Sequence, residues 1–178
     1  MILDLVKFPD PLLKKVSKEI DNIDDNLRKF MDNMLDTMYS EGGIGLAAVQ
    51  VGALKRILVV HIQDDNRYEK NQKTNHKQEL FFIINPKFTY QSKETSTFCE
   101  GCLSFPEITA DVIRPKEIEI EYLDYYGKKQ KLKADGLLAT CIQHEIDHLN
   151  GITFVDHLTK LKKDMLLKKL TKKQKIMV

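Results

Sequence analysis

Apolar residues recur at three- and four-residue spacing between Asp24 and Ser40, where Leu27, Phe30, Met31, Met34, Leu35 and Met38 fall on one helix face. This Met and Phe stripe reads as core-facing, and Gly42-Gly43 ends the helix. Before it, Asp10-Pro11 reads as an N-cap followed by a proline at the first helical position, opening a short helix to about Val16. The period then changes. Residues 56–62 (RILVVHI) and 80–85 (LFFIIN) are compact runs rich in β-branched and aromatic residues, the second closed by Pro86. The polar stretch 63–79 between them reads as a loop or hairpin extension. Residues 116–123 (KEIEIEYL) alternate charged with apolar positions, as a half-exposed antiparallel strand does; Tyr125-Tyr126-Gly127-Lys128 is the turn and residues 129–134 the return. Helical spacing comes back after Asp135, the expected N-cap, and runs to Asn150 or Gly151. A last helix is expected at about 158–173, with Leu158, Leu161, Met165 and Leu170 as its apolar line. Strands cluster before the helix that follows Asp135. This predicts an α+β fold: antiparallel sheets packed around that central helix, with N-terminal helices and a C-terminal amphipathic helix.

The chain has 178 residues, which suits one domain over 1–178. Its formal net charge of +2 argues against general nucleic-acid affinity or specific DNA binding, but the charge is unevenly spread. Residues 158–178 hold eight lysines against Asp164 alone, a local +7 that leaves −5 for residues 1–157. Such a helix either docks on the core with a solvated outer face or attaches to an anionic surface. Three cysteines do not suggest a small disulfide scaffold and fit a reducing compartment. The N-terminal residues lack the basic-then-apolar layout of a signal peptide, and no apolar run is long enough to span a bilayer. The expectation is a cytoplasmic protein without membrane attachment.

The chemistry concentrates in Gln143-His144-Glu145-Ile146-Asp147-His148. At about 100° per residue, positions 144 and 148 lie roughly 40° apart and one turn removed, so two imidazoles can converge on one ion. Glu145 stands where a carboxylate can handle the proton of an activated water. The plainer alternative, two histidines on a solvated face, sits badly with the apolar Leu137-Leu138-Ala139-Thr140-Cys141-Ile142 before them. A third ligand is not found downstream: position 154 is Phe, and Glu145 is the last Glu. Cys141 is about 10.5 Å of helical rise from His148, too far for both to reach one ion. Cys102, in Glu100-Gly101-Cys102-Leu103-Ser104, is the better third donor, although a lone cysteine is more often an inert buried thiol. Glu100 and Gly101 flank it, where backbone can contact a ligand. His61 and His76 are given no metal role.

A third stretch, Gly43-Ile44-Gly45-Leu46-Ala47-Ala48-Val49-Gln50, invites a phosphate-loop reading that fails, because no Gly-Lys-Ser/Thr follows and no strand clearly precedes it. Its small residues, Gly43 and Gly45 among them, instead permit close backbone approach. Leu137, Cys141, His144 and His148, spaced 4, 3 and 4, share one helix face, so Leu137 and Cys141 wall the ligands. Ile44 and Phe98 are placed to complete a pocket, and each is also compatible with plain core.

Together these three stretches, in the chain order 43–50, 100–104 and 143–148 and at these separations, resemble the three signature motifs of peptide deformylases, and the likeness spans nearly the whole chain. Phe105 after the second motif and the polar insertion near 63–79 are its less typical features. The resemblance implies a hydrolase that removes formyl groups from N-formyl-methionyl nascent peptides. It implies a divalent metal on Cys102, His144 and His148, Glu145 as general acid and base, and oxyanion contacts from Gln50 and the Leu103 backbone N–H. It further implies a pocket for Met, and Fe(II) in the cell with zinc, nickel or cobalt able to replace it. The absence of an Arg/Ser-rich leader favours a bacterial form over a mature organellar one. A lysine-rich C-terminal helix of this kind is similar to those with which bacterial deformylases can engage the ribosome; a monomer is expected. Two rivals remain at this point: an HExxH endopeptidase, and a structural zinc domain closed by a fourth ligand such as Cys99.

Overall fold

The computed structural model describes residues 1–62 and 79–176, with side chains to residue 172. The fold is α+β. The expected extension at 63–79 lies, apart from Glu79, outside the described residues, as does His76. Asp10 caps a single 3-10 turn, Pro11–Lys14, by accepting the Leu12 N–H; this element stops short of Val16. Helix α1, Asp25–Ser40, is capped by Asp24 accepting the Leu27 N–H, and closes where Gly43 and Gly42 donate to the carbonyls of Met38 and Tyr39. Among the described residues seven strands follow: β1 Gly45–Ala47, β2 Ile57–His61, β3 Leu80–Gln91, β4 Thr95–Cys102, β5 Phe105–Pro115, β6 Glu117–Leu123 and β7 Lys129–Asp135. Helix α2, Gly136–Leu149, and helix α3, Lys160–Ile176, complete the order.

Five strands form one antiparallel sheet in the order β1-β2-β3-β6-β7, and β4 pairs with β5 in a separate ribbon. Strand β2 explains the unbroken apolar run at its position. Leu58 and Val60 pack with Leu138, Ala139, Ile142 and Ile146 of α2, while Ile57 and Val59 pack with Leu27, Met31, Met34 and Met38 of α1. Both faces are covered, so both alternate sets must be apolar. A third apolar cluster joins Phe105, Ile108 and Val112 of β5 to Leu13, Phe154, Val155 and Leu170.

Several expected boundaries shift, each for a local reason. Pro86 does not end β3. Asn85 takes φ 51° and the register slips between Ile84 and Lys87, so the proline sits at a bulge where its missing N–H costs no ladder bond. The glycine-rich stretch contains a strand of its own, β1, paired with β2 through Gly45↔Val60 and Ala47↔Leu58. Asp135 occupies the N-cap of α2 without a side-chain cap bond. In α3 the expected apolar line is partly wrong: Leu161 is 71% and Met165 62% exposed, whereas Leu166, Leu167 and Leu170 face the core. The helix is clasped from the turn before it by Asp156, which accepts from both Lys163 and Lys14.

Gly151, at φ 71°, turns the chain out of α2 directly over the Lys14 carbonyl, where a Cβ would collide with backbone. Gly151→Ala is expected to lower stability by about 2–4 kcal/mol, from left-handed strain plus overpacking. Urea unfolding of the two proteins checks it; equal midpoints would show that the turn relaxes freely.

Candidate metal centre

Helix α2 is buried over almost its whole length, so its polar residues lie in the core: His144 is 8% exposed, Glu145 4% and His148 not at all. Burying such groups is costly unless each finds a partner. His144 finds one: its Nδ1 lies 2.8 Å from Glu100 Oε2. Glu100 is in turn gripped by Arg114, with Nε 2.6 Å from Oε1 and Nη2 3.0 Å from Oε2. Burial disfavours the Glu100 charge, but hydrogen bonds from His144 and Arg114 overcome it and hold the carboxyl down at about 2. An ionised Glu100 only accepts, so His144 Nδ1 carries a proton; burial opposes charge on this ring, but its Cys102 and Glu100 partners outweigh burial and raise its basicity, so an ion at Nε2 would take the place of a second proton. Burial pushes His148 well below the ordinary imidazole range, which leaves that ring neutral.

The ribbon β4–β5 brings in the thiol. Its register is regular from Thr95↔Pro115 to Gly101↔Thr109 and then jumps to Cys102↔Phe105. This bulge re-aims Cys102 toward α2. Its Sγ lies 3.2 Å from His148 Nε2, and the ligand atoms of Cys102, His144 and His148 all fall within 4.8 Å of one another. Donors bound at 2.0–2.3 Å in a tetrahedron stand roughly 3.3–3.8 Å apart, so three donors at this separation suit one ion. Glu145 Oε2 is buried without a protein hydrogen-bond partner, which marks the floor of this site as a place that expects something more than protein. Among the described residues no fourth ligand joins the group, and Cys99 is exposed. A closed structural zinc site would need one.

Gln50 reaches the thiol from the 3-10 turn Ala48–Val51. Its Oε1 accepts the Ala47 N–H at 2.8 Å, which fixes the amide so that Nε2 faces Cys102 Sγ at 3.4 Å and Ser104 Oγ at 3.2 Å. Gly45 lies against α2 so closely that a Cβ there would stand 2.6 Å from Glu145 Oε1 and 2.7 Å from Cys141 Sγ. Cys141 is itself a neutral thiol, its acidity suppressed by burial, pointing at the Ile44 carbonyl. Burial likewise pushes Glu145 up to about 7.

All of this borders one cleft of about 460 Å³. Gly43, Ile44, Gly45 and Gln50 line one side, Phe98, Glu100, Gly101, Cys102 and Leu103 another, and Leu137, Cys141, His144 and Glu145 the floor; His148 lies behind them. The Glu100 carboxylate, expected only to flank a ligand, is wholly engaged by His144 and Arg114. His61 stands apart, paired with Tyr39.

Likeness over the whole chain identifies its family. Residues 2–164 match the family model described as polypeptide deformylase. The chain belongs to that family. It is 52% identical over 171 residues to the peptide deformylase of Pelagibacter ubique, covering 96% of this chain and 94% of the relative. It is 48% identical over 174 residues to that of Rhizobium meliloti, covering 98% and 95%. The crystal structure of the Ehrlichia chaffeensis peptide deformylase superposes with a TM-score of 0.89 at 42% identity, covering 98% of this chain and 97% of that one. Its complex with actinonin gives 0.88 over 97% of each chain. The chain is thus a hydrolase of a metalloenzyme family with a Cys/His/His group able to hold an ion.

Several members of the centre escaped the sequence reading. Arg114 and Asp147 lie 2.8 Å apart, Nη1 to Oδ2, and His157 Nε2 lies 2.7 Å from the same Asp147 oxygen. Asp147 stands inside the HExxH stretch, but nothing in one sequence marks its partners.

Ionised Glu100 supports the fold with a definite pH sign. Its value of about 2 lies below the ordinary 4.5, so its contribution is present above about pH 4.5 and is lost as pH falls toward 2. Glu100→Gln should therefore cost roughly 3 kcal/mol near pH 7 and markedly less at pH 3. Urea unfolding at both pH values measures the difference; a gap that does not narrow with acid contradicts the assignment.

Proposed function

We propose that the cleft removes the formyl group from N-formyl-methionyl nascent peptides, with residues 1–178 acting as one catalytic domain. The observation that carries this is the meeting of Cys102, His144 and His148 beside an unpartnered, buried Glu145. Cys102 Sγ and one nitrogen each of His144 and His148 would hold the ion. When bound, it supplies Lewis acidity, acidifying a water and drawing charge from the carbonyl under attack.

The chain's own groups do the rest. Glu145, poised near 7 by its buried site, takes the water's proton and later returns it to the departing amine. The oxygen adds to the formyl carbon, the C–N bond breaks, and formate leaves beside a free N-terminal Met. Gln50, held with Nε2 turned toward the thiol, and the Leu103 backbone N–H meet the developing oxyanion. Ile44, Phe98, Leu137 and Cys141 wall the space for an unbranched apolar side chain, with Gly43, Gly45 and Gly101 letting substrate backbone come close. Glu100 contacts His144 rather than substrate and orients it. By donor type alone the set suits zinc, while the family likeness favours Fe(II) in the cell, with zinc, nickel or cobalt as replacements on purification.

The purified metal-loaded protein is expected to release formate from formyl-Met-Ala-Ser and to leave acetyl-Met-Ala-Ser almost untouched. Glu145→Gln should retain metal yet lose about 10²–10⁴ in kcat. Retained turnover in that variant, or activity that survives rigorous chelation, rejects the mechanism.

We also assign the protein to the bacterial cytoplasm as a monomer, with α3 as its ribosome contact. No helix among the described residues is long and apolar enough to cross a membrane, and the outer face of α3 presents Leu161 and Met165 among lysines. Replacing exposed Lys162, Lys168 and Lys172 with Glu should abolish co-sedimentation with ribosomes at low salt without changing turnover of the tripeptide. Unchanged co-sedimentation removes that role from α3.

A further inference from the structure

We propose that His157 is a positioning residue of the metal centre, acting on His144 through Asp147, Arg114 and Glu100. The inference rests on the reading of Cys102, His144 and His148 as ligands and extends it to a residue outside the cleft.

The chain of contacts is continuous. Arg114 spends Nε and Nη2 on Glu100, which leaves Nη1 to meet Asp147 Oδ2 at 2.8 Å. The guanidinium is only 4% exposed, so both of its acidic neighbours matter to keeping it buried. Asp147 is 18% exposed, and His157 Nε2 covers the same Oδ2 from outside at 2.7 Å. Asp147 Oδ2 lies within hydrogen-bond distance of both Arg114 Nη1 and His157 Nε2, and a carboxylate oxygen can only accept from them. The His157 nitrogen therefore carries a proton, and its 3.5 Å approach to Arg114 Nη1 is a contact between two donors that share one acceptor.

The consequence is mechanical. Asp147 lies on α2 between the two imidazole donors, whereas Glu100 and Arg114 lie on the ribbon that carries Cys102. Arg114 thus ties the two ligand-bearing elements together. His157, from the 3-10 turn Phe154–His157, shuts water away from the outer half of that tie. Without it, the Asp147–Arg114 pair becomes solvated and weaker, Arg114 gains freedom on Glu100, and the hydrogen bond that fixes the His144 ring loosens.

The test uses the full-length protein, stripped by chelation and titrated with Co(II). His157→Leu should raise the Co(II) Kd about tenfold and shift the visible d–d bands, whereas His157→Gln, whose amide can replace the Nε2 donor, should stay within about twofold of the parent. His157→Asn, too short to reach Asp147, should follow the leucine variant, and serves if that one fails to fold. A lowered Tm with unchanged Kd and spectrum in both would reduce His157 to a purely structural role and overturn the proposal. Cys102→Ser separates this from failure of the site itself. If it abolishes the thiolate-to-cobalt charge-transfer band while His157→Leu changes nothing, only the positioning role falls. If it leaves the parent spectrum intact, the metal centre has been misplaced.

Discussion

The centre depends on one buried guanidinium. Arg114 joins a ribbon and a helix that have little apolar surface in common at this point, and it does so through Glu100 on one side and Asp147 on the other. Each carboxylate would be costly to bury alone, and so would the guanidinium. Combined, they leave an acceptor on Glu100 for His144 and an acceptor on Asp147 for His157. The polar face of α2 can therefore enter a core otherwise built from Leu138, Ile142 and Ile146 against the five-stranded sheet. Removing a single partner leaves an uncompensated charge inside, so the ligand geometry and the fold's stability rest on the same contacts.

Close packing then fixes what ion pairing alone would leave loose. Gly45 lets β1 lie against Glu145 and Cys141 without a side chain between them, and the Ala47 N–H turns the Gln50 amide toward the thiol. Because β1 is hydrogen-bonded to β2, and β2 is covered on both faces by α1 and α2, these short contacts are anchored between two apolar clusters. A cleft bounded by such walls keeps its shape with little reorganisation, which is the condition under which aimed donors act most strongly on developing charge.

Much of this was legible in the sequence, and the reasons are specific. The period of α1, the alternation in β6 and the i, i+4 histidines of α2 are local patterns that sequence carries directly. The ribbon was not legible. Strand β4 alternates exposed with more buried positions, but its inward set, Ser96, Phe98, Glu100 and Cys102, is largely polar, and β5 contains Pro106 and ends on Pro115, so neither reads as an apolar alternation in the sequence. Arg114 is registered opposite Ser96, not Glu100, and the pairing of the two charges depends on strand twist that no spacing announces. In α3 two apolar lines compete, one through Leu161 and Met165 and one through Leu166, Leu167 and Leu170. The second line is the one that packs, against Phe154 and Val155 of the preceding turn, a long-range contact that the spacing does not announce.

The two glutamates of the centre show how one core assigns opposite tasks to the same chemical group. Glu100 and Glu145 are both nearly inaccessible, so burial alone would raise both. Glu100 has a bidentate cation and an imidazole N–H, and stays charged far below neutrality; it can only accept, which fixes a neighbouring ring. Glu145 has no such partner on Oε2 and sits near 7, where gaining and losing a proton cost least. The nearby Glu100 charge pushes Glu145 in the same direction as burial does. The Glu100 charge that steadies His144 thus also lifts the neighbouring carboxyl, against the downward pull of His144 and Arg114, and burial settles it near the value that the proposed proton transfer would use.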